Sequence, residues 1–244
     1  MLSLGLPLAQ AASDPASGDS WRFGGDVYLW GAGLGGATSA GDDIDISFDD
    51  LLDNLDMALM GSLAARKGKL SLIADVIYLD VSDSTSSTAN LINRPVTADL
   101  GVKLKSWIVT AIGAYKIVET DSTRLNLLAG ARYLYLDADL DFRIVSAGPF
   151  GPWQEKYSDS GHVWDGIVGL RGSTELSDKW YLNYHFDVGA GDSALTWQAL
   201  AGFNYRFSNV DAAFGYRYLK WELDNDAFND LDVSGPFAGV RFSF

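Results

Sequence analysis

The chain has 244 residues, with 32 Asp and Glu against 18 Lys and Arg, a formal net charge of −14 and no cysteine. That balance excludes nucleic-acid binding, which needs Lys and Arg to neutralise phosphates. The missing cysteine excludes disulfides, thiolate metal sites and cysteine nucleophiles.

Charged residues make up 20%, below the roughly 25% of soluble domains, while glycine and aromatic residues are plentiful. No stretch reaches the ~18 uninterrupted apolar residues of a membrane-crossing helix. Residues 1–12, with an apolar core and an A-x-A site at Ala9 to Ala11, read as the remnant of a signal peptide. Residues 13–20 read as an N-terminal tail, and 21–244 as one β-domain.

From Trp21 onward the sequence alternates with period two. Trp21, Phe23, Val27 and Leu29 share a face opposite Arg22, Asp26 and Tyr28. Gly31, Gly33 and Gly36 match a dinucleotide fingerprint only formally, because an acidic segment follows where a helix would be required. Within that segment, Ser47 opens a capping-box pattern, and Phe48, Leu51, Leu52 and Leu55 follow at helical spacing. A short amphipathic helix is expected there, either packed on the rim or acting as a lid.

Strands are expected near 56–66, 70–81 and 98–117. Lys103 and Lys105 share parity with Trp107 and Val109, which predicts a bulge near Ser106. Further on, Leu125, Leu127, Ala129, Ala131, Tyr133 and Tyr135 oppose Asn126, Gly130 and Arg132. Asp137, Asp139 and Asp141 alternate at the end of that strand, as a solvated acidic rim or a weak divalent-cation site. Trp164, Val168, Leu170 and Leu176 oppose Asp165, Gly169, Arg171 and Glu175, and Leu182, Tyr184, Phe186 and Val188 oppose Asn183, His185 and Asp187. In Leu195 to Phe207 the odd positions are apolar or aromatic, opposite Thr196, Gln198, Asn204 and Arg206. The last strands set Phe214, Tyr216 and Tyr218 against Arg217, and Val240, Phe242 and Phe244 against Arg241.

This gives ten strands, with eight as the alternative. Tight turns (66–69, 119–123, 176–179, 208–211) alternate with longer acidic or Ser/Thr-rich segments (36–55, 82–97, 137–160, 225–232) and a short link at 190–194. The non-apolar face decides what surrounds the barrel. A solvent-facing wall would be rich in Lys and Glu, whereas this one carries Gly, Ser, Asn and single mid-strand arginines. An arginine facing lipid at mid-bilayer costs roughly 2–4 kcal/mol. Arg132, Arg171, Arg217 and Arg241 are therefore expected to point into a lumen, joined by Arg206 and His185 and countered by Asp26, Asp75, Asp165, Glu175 and Asp187. The fold class expected is a closed, antiparallel, up-and-down transmembrane β-barrel.

The run Gly235 to Phe244, with Val240, Phe242 and the terminal Phe244 at alternate positions, resembles the closing strand of Gram-negative outer-membrane proteins. Gly130-Ala-Arg-Tyr133 and Gly215-Tyr-Arg-Tyr-Leu219 look like strands of the small OmpA-like or OmpW-like barrels of unassigned function. The resemblance implies an outer-membrane location with both termini periplasmic. It also implies contact with lipid and lipopolysaccharide, and an assembly signal read by the barrel-assembly machinery.

His185 and Asp187 form a pair that could orient a general base, but no Ser stands two residues after His162 or His185. No enzyme activity and no cofactor is expected. The functional readings are, in order, a narrow cation-preferring pore passing small cations or solutes, a sealed structural or surface-binding protein, and an outer-membrane hydrolase.

Overall fold

The computed structural model describes residues 20–38, 43–46, 55–91, 94–146, 153–223 and 228–243. These form β1 (Arg22–Trp30), β2 (Gly33–Thr38), β3 (Asp43–Ile46), β4 (Leu55–Lys67), β5 (Leu70–Leu91) and β6 (Arg94–Glu119). They continue as β7 (Thr123–Ser146), β8 (Trp153–Glu175), β9 (Trp180–Gly191), β10 (Leu195–Arg206), β11 (Val210–Glu222) and β12 (Phe228–Ser243). From β4 to β12 each strand pairs antiparallel with the next, and β1 closes the ring against both β4 and β12.

β1 and β2 both pair with β12, through Trp30↔Phe237 and Gly33↔Ser234, so they are two halves of one barrel strand. The Gly31 amide bridges the break by donating to the Pro236 carbonyl at 2.8 Å. With β3 a hairpin on β2, the barrel has the ten strands expected from the alternation. The tight turns fall at one end, called the turn end below. Gly68 there has φ 57°, the positive angle that a primed two-residue hairpin turn needs at its first position.

The wall faces as the lipid argument requires. Phe23, Val27, Leu29, Leu63, Leu127, Val168, Phe186, Phe203, Tyr216 and Val240 are exposed. Aromatic pairs mark both limits of this apolar band. Tyr78–Trp107, Tyr133–Trp164 and Trp197–Tyr218 meet at 4.5–4.7 Å at the far end. Trp180–Tyr205 and Tyr205–Phe207 meet at 5.0 and 4.8 Å at the turn end. Trp197 and Tyr205 lie about 27 Å apart along β10 at the ~3.4 Å rise of a strand, enough for a tilted crossing of the hydrocarbon.

Three expectations need correction or fall away. The ladder runs in register through Leu79↔Ser106, and the irregularity lies between Lys116 and Val118 instead. Lys103 and Lys105 keep the outward parity of Trp107 because they lie past the Tyr78–Trp107 pair, beyond the band where a lysine would be penalised. Secondly, most of 82–97 and 137–160 is ladder, not loop. β5 and β6 pair out to Leu91↔Arg94, and β7 and β8 out to Ile144↔Trp153. Outside lipid the contrast between faces disappears while pairing continues, so alternation stops marking strands there. Thirdly, Leu55 opens β4 opposite Val81, not a helical turn. Phe48, Leu51, Leu52, Phe244 and the signal-like segment lie outside the described residues.

Candidate functional site

The lumen is a column of charge pairs between apolar layers. At the turn end Arg206 Nη2 donates to Glu175 Oε1 at 2.5 Å, and Arg124 approaches the same oxygen at 3.8 Å. The Arg206 guanidinium also lies 4.6 Å over the Tyr181 ring. Arg241 donates to Asp26 through Nε at 2.6 Å and to the Tyr181 hydroxyl at 3.2 Å, while Ser62 donates to Asp26 at 2.8 Å. Register explains the first of these, because Asp26 and Arg241 are direct cross-strand partners in the closing ladder.

Deeper in, Arg217 Nη1 donates to Asp75 and to the Tyr28 hydroxyl, both at 3.0 Å, and its other nitrogens donate to Gln198. Tyr28 in turn donates to Asp75 at 2.7 Å, and the Trp30 ring lies 4.9 Å from the guanidinium. Arg132 grips both oxygens of Asp187 at 2.7 and 2.8 Å and donates to Thr196 at 3.0 Å. His185 Nε2 meets the same carboxylate at 2.6 Å. Asp165 accepts from the Ser193 amide and hydroxyl, at 3.0 and 2.8 Å, where the β9–β10 link crosses the mouth. Arg171 lines a cavity of about 100 Å³ together with Asp26, Asp75, His185 and Asn183.

The structure pairs Arg241 with Asp26, Arg217 with Asp75, Arg132 and His185 with Asp187, and Arg206 with Glu175, while Arg171 lines the cavity and Asp165 binds Ser193. Several partners had not been anticipated: Tyr28, Ser62, Tyr181, Ser193, Thr196 and Gln198. Each shares inward parity with an arginine or aspartate of its own strand or sits on a link between strands. That signal was available, but parity names candidates without choosing partners.

A second surprise lies above the charges. Leu219 and Trp221 are 0% exposed and, with Trp30, Met60, Ile77, Ile108, Leu134, Leu231 and Val233, form a packed apolar layer across the far half of the lumen. Their parity is that of Arg217 and Arg132, so they point inward. A second apolar cluster, Ile73, Ile112, Ala114, Leu128 and Ile167, fills the β5–β8 side. In a ten-stranded barrel side chains can fill the interior; aqueous channels need wider rings.

The pair His185–Asp187 does not stand alone. Arg132 occupies the carboxylate, and the nearby Thr196 hydroxyl is engaged with Arg132 and the Lys220 carbonyl at 3.0 Å each. The acidic rim does not converge either. Asp137 and Asp139 lie across the ladder from Lys105 and Lys103, and Asp141 binds Lys156 at 2.9 Å. Among the described residues no three metal-ligating side chains cluster.

Neither a family model nor a curated protein matches the chain. Solved structures do match in fold. The outer-membrane protease OmpT of Escherichia coli aligns over 97% of this chain and 99% of its own, with TM-score 0.50 and 10% identity. The translocator domain of the autotransporter NalP from Neisseria meningitidis covers 92% and 88%, with TM-score 0.44 and 16% identity. Ail of Yersinia pestis covers 93% and 99%, with TM-score 0.36 and 11% identity. The fold is that of the Gram-negative outer-membrane β-barrels.

Proposed function

We propose that this protein is a sealed outer-membrane barrel that works at its outer surface and passes no solute. The observation that carries the reading is the apolar layer around Leu219 and Trp221, which solvent does not reach. An ion entering it would shed its hydration without a replacement partner, a cost that prevents passage. In this reading the turn end and both termini face the periplasm, and the long β5–β8 extensions rise outside among lipopolysaccharide head groups. Val240 and Phe242, exposed on the closing strand, serve recognition by the assembly machinery.

The charged cavity beside Arg171 favours a second reading, the narrow cation-preferring pore expected from the sequence. Planar-bilayer recording of the folded protein separates the two. The sealed barrel gives a silent membrane, and reproducible cation-selective steps would replace it by the pore.

A further inference from the structure

The outer half of β8 has an open edge. Every residue from Trp153 to His162 is exposed, on both faces of the strand. One side is fully paired with β7, from Ile144↔Trp153 to Tyr135↔His162, without a register shift. On the other side β9 reaches only Gly191↔Asp165. The last contacts there are the Asp192 amide donating to the Trp164 carbonyl and the Trp164 amide donating to the Asp192 carboxylate, both at 2.9 Å.

Those two bonds fix the direction of the amides beyond them. In a strand, successive residues direct their N–H and C=O to opposite sides. Trp164 directs its pair toward β9, so His162, Ser160, Ser158, Lys156 and Gln154 direct theirs to the same side, past the end of β9. The described residues place no strand against them. Natural edges of this kind are blunted by proline, bulges, lysines or inward-pointing charges; the inward-pointing charges here are the acidic Glu155 and Asp159, which repel an acidic strand and admit a basic one. Trp153 to Val163 contains no proline, and its one lysine, Lys156, is held to the outer face by Asp141 at 2.9 Å.

The concave face beside this edge has its own pattern. Trp153 and Tyr157 are 50% and 63% exposed, Trp153 packs edge-on against Phe142 at 5.6 Å, and Glu155 and Asp159 alternate with them. We propose that the edge binds an extended segment of another protein by strand addition. That segment presents apolar side chains opposite Trp153 and Tyr157 and basic ones opposite Glu155 and Asp159. A second copy of this chain is disfavoured, since each copy carries a net charge of −14 and would bring like charge to the edge. The proposal rests on the sealed-barrel reading, in which the outer surface is the working part.

The test uses the full chain folded in nanodiscs and the synthetic peptide Thr-Lys-Thr-Val-Thr-Lys-Thr-Val-Thr, against its counterpart with Glu in place of Lys. The lysine peptide is expected to slow amide exchange at Gln154, Lys156, Ser158, Ser160 and His162 by about tenfold or more, and the glutamate peptide to leave it unchanged. Ser158→Pro with Ser160→Pro removes two open-edge amides without touching the β7 ladder, and abolishes the protection. Should that variant misfold, Glu155→Lys with Asp159→Lys provides the second arm, with the preference reversed to the glutamate peptide. Equal protection by both peptides, protection by neither, or protection from raised protein concentration alone would each overturn the proposal. Bilayer conductance is scored separately: a silent membrane with no peptide binding sinks strand addition and leaves the sealed barrel standing.

Discussion

The Arg132 guanidinium closes on both carboxylate oxygens of Asp187, at 2.7 and 2.8 Å, with both side chains 0% exposed. Removing one member strands the other charge in a medium that cannot solvate it. Arg132→Leu is expected to lower stability by about 3–5 kcal/mol, and removing both charges together should recover much of that loss. Urea titration of the heat-modifiable gel shift in lipid vesicles measures it. A single variant as stable as the parent would show that the pair is not stabilising the lumen.

Trp221 and Leu219 close the far half of the lumen with no exposed surface of their own. Trp221→Ala alone is expected to cost about 3–5 kcal/mol, because a barrel wall collapses poorly onto the space left. Combined with Leu219→Ala it should connect the cavity beside Arg171 to the far mouth. Discrete bilayer steps are expected from the double variant and not from the parent. Silence from a well-folded double variant would place the barrier elsewhere in the lumen.

The inward arginines could be read from sequence because lipid leaves a guanidinium only one acceptable side of the wall. Their partners could not. Asp26 and Arg241 are 215 residues apart, and Asp75 and Arg217 are 142 apart, so only barrel closure and register bring them together. Leu219 and Trp221 were hidden for a different reason. An apolar residue is acceptable on either side, so its period says nothing of direction until it is counted from Arg217. The extensions of β5, β7 and β8 are not legible because period two marks a boundary between two media, and past the Tyr78–Trp107 pair both faces meet the same one. Of the site proposed on β8, only its exposed backbone distinguishes it, and a sequence does not carry pairing vacancies.

Gly202 and Gly215 face each other across β10 and β11, and the Phe237 ring lies over them. A Cβ on Gly215 would collide with the Ala201 carbonyl oxygen and stand 2.8 Å from the Phe237 ring. Gly161, on the open half of β8, has nothing within 4 Å of the same position. Gly215→Ala is therefore expected to cost roughly 1–3 kcal/mol through overpacking. Gly161→Ala should stay within about 0.5 kcal/mol of the parent. Equal unfolding midpoints for the two variants would refute the glycine-pocket account.

Asp141 and Lys156 face each other across the β7–β8 extension, outside the membrane band, with Gln154 donating to the same carboxylate at 3.0 Å. The bonds from Lys156 and then Gln154 hold the Asp141 carboxyl below its ordinary range. A depressed carboxylate pKa means the folded extension gains from this contact above the ordinary Asp value and loses it as pH falls through the lowered one. Acidification should thus loosen the outer part of the ladder while the lumen pairs and the barrel stay closed. Carboxyl-carbon NMR titration should show Asp141 titrating below a free aspartate, with Lys156→Met moving it back up. Salt should weaken the shift, because exposed charges are screened within about 8–10 Å. An Asp141 titration unmoved by Lys156→Met would show that the cross-strand ion pair does not form in solution.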